Sequence, residues 1–219
     1  ADRLALTGPS GCGKSTLLDA LALIAFPDQL EHYVLGSPDG PAVSVTELLR
    51  AGNNNALAAI RCRYIGYVLQ TGGLLPFLSV ERNILLPSTL RGPTDRPASQ
   101  TVQSIVQRLG LERHLHKLPA ELSVGERQRV AVARAVVAHP PIVLADEPTA
   151  ALDPHTAREV MALLLDLTHD AGITLVIASH DHALLDAFDM PRTSPVLTPA
   201  QDEMTATFCY GDPGQPQRV

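Results

Sequence analysis

Four short runs of the chain are apolar without alternation, and each ends on a polar or turn residue: LALTG (Leu4 to Gly8), YIGYVLQ (Tyr64 to Gln70), IVLADE (Ile142 to Glu147) and TLVIASH (Thr174 to His180). Continuous apolar runs are what strands buried on both faces require, so they predict a parallel sheet with helices on two sides. Between the third and fourth runs the pattern switches to helical spacing. Asp153 can cap that helix, Pro154 suits its first position, Val160, Leu163, Leu164 and Leu167 make one apolar face, and Gly172 ends it. The result is a strand–helix–strand unit. In such sheets ligands bind beyond the carboxyl ends of the strands, and Gly8, Gln70, Asp146, Glu147 and His180 all fall there.

The stretch from Thr71 to Arg134 has a different texture. VQSIVQRLGL repeats apolar residues at helical spacing, LRGPTDRPAS reads as a loop, and ELSVGERQRVAVARAVV as a helix with a clear start. A helical subdomain inserted between strands is predicted, and a further helix from Ser15 through Ala25. The tail from Pro191 is rich in Pro, Thr and Gly; TATFCY predicts one strand within it. The expected organisation is a single domain over 1–219. Its core covers about 1–70 and 135–190, its helical subdomain about 71–134 and its tail 191–219.

Composition narrows the function classes. A chain of 219 residues can bury a substantial single core. A formal charge of -6 without any Lys/Arg-rich block argues against nucleic acid as a partner. Cys12, Cys62 and Cys209 lie far apart without metal-ligand spacing, so neither a disulfide framework nor a zinc site is expected, and a reducing cytosol fits. No apolar run approaches the roughly 18 residues that a membrane helix needs, and no basic-then-apolar leader precedes Gly8. Direct membrane insertion is therefore not expected, and any membrane role would come through a partner.

The chemistry begins at TGPSGCGKST, where Lys14 is one of only two lysines in the chain. The spacing G-x-x-x-x-G-K-S, directly after a buried strand, is that of a phosphate-binding loop. Gly8, Pro9, Ser10, Gly11, Cys12, Gly13, Lys14, Ser15 and Thr16 are the candidate nucleotide-binding residues, with Lys14 on the outer phosphates and Ser15 toward Mg²⁺. Cys12 reads either as a small residue filling a tight turn or as an oxidisable thiol. At the end of the third strand, Asp146 is a candidate Mg²⁺ holder and Glu147 a candidate general base. Asp153 also fits a plain helix cap. Ser123 with Glu126 three residues on is a capping box that needs no ligand, yet a capped helix start carrying Gly125 is equally an anion site. The residues alone leave that choice open.

The order GPSGCGKST, Gln70, LSVGE, LADEPTAALD and His180 resembles the ATPase subunit of ATP-binding cassette (ABC) transporters over nearly the whole chain. The resemblance implies an α/β P-loop NTPase fold with a mainly parallel sheet flanked by helices, ATP and Mg²⁺ as cofactors, and hydrolysis coupled to transport. Gly8 to Thr16 would be the Walker A loop, Gln70 the Q-loop residue touching Mg²⁺, and Leu122, Ser123, Val124, Gly125 and Glu126 the signature motif. Asp146 would be the Walker B aspartate with Ser15 and Gln70 beside the metal, Glu147 the base, Ala151, Leu152 and Asp153 the D-loop, and His180 the switch histidine. The partners implied are membrane permease subunits and a second ATPase subunit, as a homodimer whose signature motifs close over each other's ATP. The implied location is cytoplasmic, peripheral on the inner face of the cell membrane. IGYVLQTGGLLPFLSVERNILLP and SVGERQRVAVARA look like the lipoprotein-releasing and macrolide-exporting branch.

Three departures stand out. Val124 replaces the family's usual glycine, Glu126 stands where glutamine is common, and only seven residues precede Gly8. Val124 adds bulk beside a phosphate while the Ser123 hydroxyl and Gly125 N–H remain, so weakened but surviving function is expected. The family's N-terminal antiparallel strands and adenine-stacking aromatic have no counterpart in this sequence, so either it is trimmed or base recognition is poor. Two other classes stand beside this one: a soluble ABC-type ATPase of DNA repair or chromosome organisation, disfavoured by the lack of sustained heptads and cysteine pairs, and a catalytically impaired nucleotide-binding scaffold.

Overall fold

The four apolar runs form four adjacent strands of one five-stranded sheet. β1 (Arg3–Leu6) leads through the phosphate loop into α1 (Lys14–Leu21). A small antiparallel pair follows, β2 (Val34–Leu35) and β3 (Val43–Ser44), then α2 (Val45–Arg50), α3 (Asn54–Tyr64) and β4 (Ile65–Val68). Next come α4 (Val80–Arg91), α5 (Ser99–Arg108) and α6 (Val124–Val136), then β5 (Ile142–Asp146), α7 (Pro154–Asp170), β6 (Thr174–Ala178) and α8 (His182–Ala187). The tail supplies β7 (Arg192–Thr193), the hairpin of β8 (Val196–Ala200) and β9 (Glu203–Thr207), and the pair β10 (Cys209–Tyr210) and β11 (Gln217–Arg218). The computed structural model describes residues 2–36, 42–92, 99–200, 203–210 and 217–218. Most of the loop expected at Leu90 to Ser99 and parts of the tail lie outside them.

The main sheet runs in the order β4-β5-β6-β1-β7, with every neighbouring pair parallel. Alternate strand residues serve two layers. Leu6, Leu144, Val176 and Ala178 cluster with Leu18 and Ala22 at α1. Ala5, Val143, Leu175 and Ile177 cluster with Val130 of α6 and Val160 and Leu164 of α7. Burial on both faces is why the strands read as unbroken apolar runs. Ile84 of α4 and Ile105 of α5 belong to the second cluster, so the helical segment shares its core with the sheet. A satellite cluster of Leu23, Leu35, Val45, Leu57 and Ile60 holds α2 and α3.

Three sequence expectations are corrected. The first helix stops at Leu21 rather than continuing to Ala25. Ile24 N–H donates to Asp19 C=O (2.8 Å) and Leu23 N–H to Ala20 C=O (3.0 Å), a Schellman turn that places Leu23 at φ 58°. A left-handed leucine costs about 1–2 kcal/mol, but burying its side chain to 1 % exposure offsets about as much. The strand expected from Tyr64, β4, starts at Ile65, because Tyr64 closes α3. TATFCY is divided between β9 and β10, with buried Phe208 between them.

Candidate nucleotide site

The phosphate loop depends on backbone that side chains rarely adopt. Gly8 has φ 141°, and a Cβ there would lie 2.9 Å from Cys12 Sγ and 3.0 Å from Pro195 Cδ. Gly13, at φ 90°, is the N-cap of α1, and no side chain caps that helix. The first-turn N–H groups and the positive end of the helix dipole are thereby left for an anion. Lys14 is buried, and its Nζ donates to the carbonyls of Gly8 (2.9 Å) and Pro9 (3.0 Å), with Cys12 Sγ at 3.9 Å. Cys12 fills the tight turn, joining the α1-side cluster at 9 % exposure.

Two hydrogen bonds assemble the acidic end. Ser15 Oγ donates to Asp146 Oδ1 at 3.0 Å, linking the loop to the end of β5. Glu147 Oε1 and His180 Nδ1 lie 2.8 Å apart, joining the ends of β5 and β6. Glu147 sits at φ 45° and its N–H donates to Ala178 C=O (2.9 Å), so its backbone is held in a sparsely populated conformation by the neighbouring strand. Gln70 is exposed, two residues past β4 and next to the strand that carries Asp146.

Burial pushes the Asp146 carboxyl above its ordinary range, Glu147 and Asp19 push the same way, and the Ser15 hydroxyl opposes them. A carboxyl raised by folding favours the fold most below its unfolded value, near pH 4, and loses that contribution as pH rises through the folded value. At neutral pH ionised Asp146 therefore strains the fold. Asp146→Asn, which can still accept from Ser15, should melt about 1 °C higher than wild type at pH 7, the small size reflecting solvent screening. The gap should narrow as pH is lowered toward the ordinary carboxylate range, as thermal melts by circular dichroism would record.

Ser123 caps α6. Its Oγ accepts from Glu126 N–H (3.2 Å), and Glu126 Oε2 accepts from Ser123 N–H (2.7 Å). That backbone bond, with further contributions from Ser123, His114 and Lys117, holds the Glu126 carboxyl below its usual range. The capping box is thus formed, yet Ser123 and Val124 are exposed, and among the described residues no hydrogen bond joins Ser123 to the phosphate loop. Gly125 packs tightly, since a Cβ would meet Thr156 Cγ2 at 2.7 Å. Leu122 is buried beneath the turn. Asp153 caps α7 through the N–H groups of His155 and Thr156, both at 3.1 Å, with Ala151 and Leu152 in the turn before it.

Sequence reasoning missed three contributors. Arg134 of α6 donates to the carbonyls of Gly72 and Gly73, both at 2.8 Å, tying α6 to the loop after Gln70. Fully buried Asn83 bonds Leu75 N–H (2.8 Å) and the carbonyls of Leu75, Leu78 and Ser79, fixing the same connection further on. The tail folds back so that Leu197 and Phe208 border an open cleft of about 890 Å³ beside the phosphate loop and α1. Only the TATFCY strand signal pointed to an ordered tail.

A parallel sheet whose first strand runs through a glycine loop into an uncapped helix, with a carboxylate pair at the end of β5, one strand removed from β1 in the sheet, defines a P-loop nucleotide hydrolase. Residues 1–150 match the family model described as ABC transporter. The lipoprotein-releasing system ATP-binding protein LolD of Hydrogenovibrio crunogenus is 38% identical over 86% of this chain and 77% of its own length. LolD of Alcanivorax borkumensis is 41% identical over 82% and 75%. The macrolide export ATP-binding/permease protein MacB of Photorhabdus laumondii is 38% identical over 82% of this chain but 26% of that longer protein. Among solved structures, the ATP-binding cassette MJ0796, dimeric with ADP and Pi in a post-hydrolysis state, superposes with TM-score 0.68 at 32% identity, covering 84% of this chain and 76% of that one. The chain belongs to the ABC transporter family and is an ATP-binding, ATP-hydrolysing cassette that powers transport.

Proposed function

We propose that two copies of this chain close face to face on two ATP molecules and drive a separate permease of the lipoprotein-releasing or macrolide-exporting branch, working at the cytoplasmic face of the cell membrane. The observation that carries this reading is the pairing of Ser15 with Asp146 and of Glu147 with His180, below the uncapped start of α1. Residues 8–16 would wrap the phosphates with backbone N–H groups, and Lys14 would turn from its carbonyl partners to the outer phosphates. Glu147 would take the proton of the attacking water, and His180 would orient Glu147 and face the terminal phosphate. Phosphoryl transfer asks for positioning and charge neutralisation more than covalent chemistry, so these groups suffice.

The Ser15 hydroxyl, the Asp146 carboxylate and the Gln70 amide are hard oxygen donors of the kind Mg²⁺ takes. Among the described residues no cluster of three or more His, Cys, Asp or Glu could hold a metal ion, so such an ion would complete its shell with phosphate and water. Bound there, it would neutralise phosphate charge. Among the described residues no helix is long and apolar enough to cross a membrane, which is why the permease is assigned to another chain or segment.

The exposed start of α6 supports the dimer reading. Ser123 and Gly125 offer a hydroxyl and N–H groups, and they would complete the nucleotide site of a second copy. Val124, 44 % exposed, would lie in that contact and weaken it. The test mixes two inactive variants, Lys14→Ala and Ser123→Arg. Half of the resulting dimers are mixed and hold one complete site each, so up to about a quarter of wild-type ATPase should return. A mixture as inactive as its components rules out the shared site.

A further inference from the structure

The acidic end of the site has a second layer that the roles above leave unused. Asp19 lies one helical turn beyond Ser15 on α1, so the two side chains share a face. Tyr67 of β4 pairs with Leu144 of β5, and the period of two puts Tyr67, Leu144 and Asp146 on the same side of the sheet. That side is the one α1 covers. Tyr67 Oη donates to Asp19 Oδ1 at 2.9 Å. Among the described residues Asp19 Oδ2 takes no hydrogen bond. Tyr67, Asp19, Ser15 and Asp146 thus lie between α1 and the sheet, as two hydrogen-bonded pairs of which the second is expected to meet a divalent cation.

We infer that Asp19, fixed by Tyr67, is a positioning residue for that cation: it holds a second negative charge behind the Ser15–Asp146 pair, raising affinity for the metal without contacting phosphate. This rests on the metal reading proposed above. The electrostatics agree. Asp19 is among the charges that raise the Asp146 carboxyl, after burial and Glu147. Burial, then the bond to Asp19, pushes the Tyr67 phenol upward, so it stays protonated and remains a donor across the working pH range. A carboxylate so placed attracts a cation and repels a bare polyphosphate. Its removal should therefore weaken the metal without weakening metal-free nucleotide, which general loosening of the fold would not do.

The test uses the full chain, Mn²⁺ followed by electron paramagnetic resonance with saturating ADP, and ADP binding in excess chelator. Asp19→Asn should weaken Mn²⁺ about 3- to 10-fold, the scale of one partly screened charge a few ångströms further out, while metal-free ADP binds equally or more tightly. Tyr67→Phe should shift Mn²⁺ in the same direction by less, and the double variant should be no weaker than Asp19→Asn. Mn²⁺ affinity within twofold of wild type in Asp19→Asn overturns the inference and leaves the proposed function standing. So does a parallel loss of metal-bound and metal-free ADP affinity. Wild-type protein that takes up no Mn²⁺ with ADP removes the metal reading and the inference together.

Discussion

Glu147→Gln is expected to cut ATP turnover by roughly 10²-fold or more while leaving MgATP affinity within a fewfold of wild type. Glutamine keeps the shape of the side chain, and its Oε1 can still face His180 Nδ1, where 2.8 Å now separates the two residues. The left-handed backbone at φ 45° is set by the N–H bond to Ala178, which the substitution does not touch. The carboxylate charge and the ability to accept a proton go, while the shape stays. Transition-state stabilisation is then lost without ground-state binding, so the rate falls and the nucleotide-bound dimer accumulates. Phosphate release under single-turnover conditions, beside equilibrium binding of a fluorescent ATP analogue, separates the two quantities. Turnover at the wild-type rate would remove Glu147 from the base role and leave the acidic pair as a metal site alone.

The parts of the molecule that could be read from the chain are those decided locally or by uniform burial. Four strands declared themselves because both of their faces are covered. Asp153 and Ser123 announced helix starts because a cap is a contact across two or three residues. What stayed hidden depends on distant partners. Leu23 ends α1 without a glycine because its burial sustains the left-handed turn, and LALIAF offers no local sign of that. Pro87 lies inside α4, where sequence rules would place a break. α2 and α3 are short helices whose apolar residues pack into the satellite cluster, so their periodicity is weak. The same division runs through the site. Spacing points to the phosphate loop, and position at a strand end makes Asp146, Glu147 and His180 candidates. The Tyr67–Asp19 bond joins residues 48 apart in sequence, and the Arg134 clamp on Gly72 and Gly73 spans more than 60. No window on the chain displays either.

Lys14→Ala should abolish nucleotide binding in practical terms, with ATP affinity falling about 30- to 100-fold or more. The buried ammonium has three protons, and the Gly8 and Pro9 carbonyls hold it at the mouth of the loop. A triphosphate offers it charge-assisted hydrogen bonds, each worth about 1.5–3 kcal/mol, and the lower figure alone is more than tenfold in affinity. Removing the side chain also takes away the positive charge that opposes the raising of the Asp146 carboxyl, so polyphosphate charge meets the acidic pair with less compensation. Arginine would not rescue the site. Its planar fork is larger than the ammonium, and Lys14 at 7 % exposure leaves little room between the loop carbonyls and Cys12 Sγ. Isothermal titration with ATP should thus give no measurable heat for Lys14→Ala, and affinity for Lys14→Arg far below wild type. The fold should survive both changes, since the α1-side cluster of Leu6, Leu18, Leu144 and Val176 does not include the lysine. Wild-type affinity in Lys14→Ala would mean that backbone N–H groups alone hold the phosphates, and that the lysine serves to keep the loop closed.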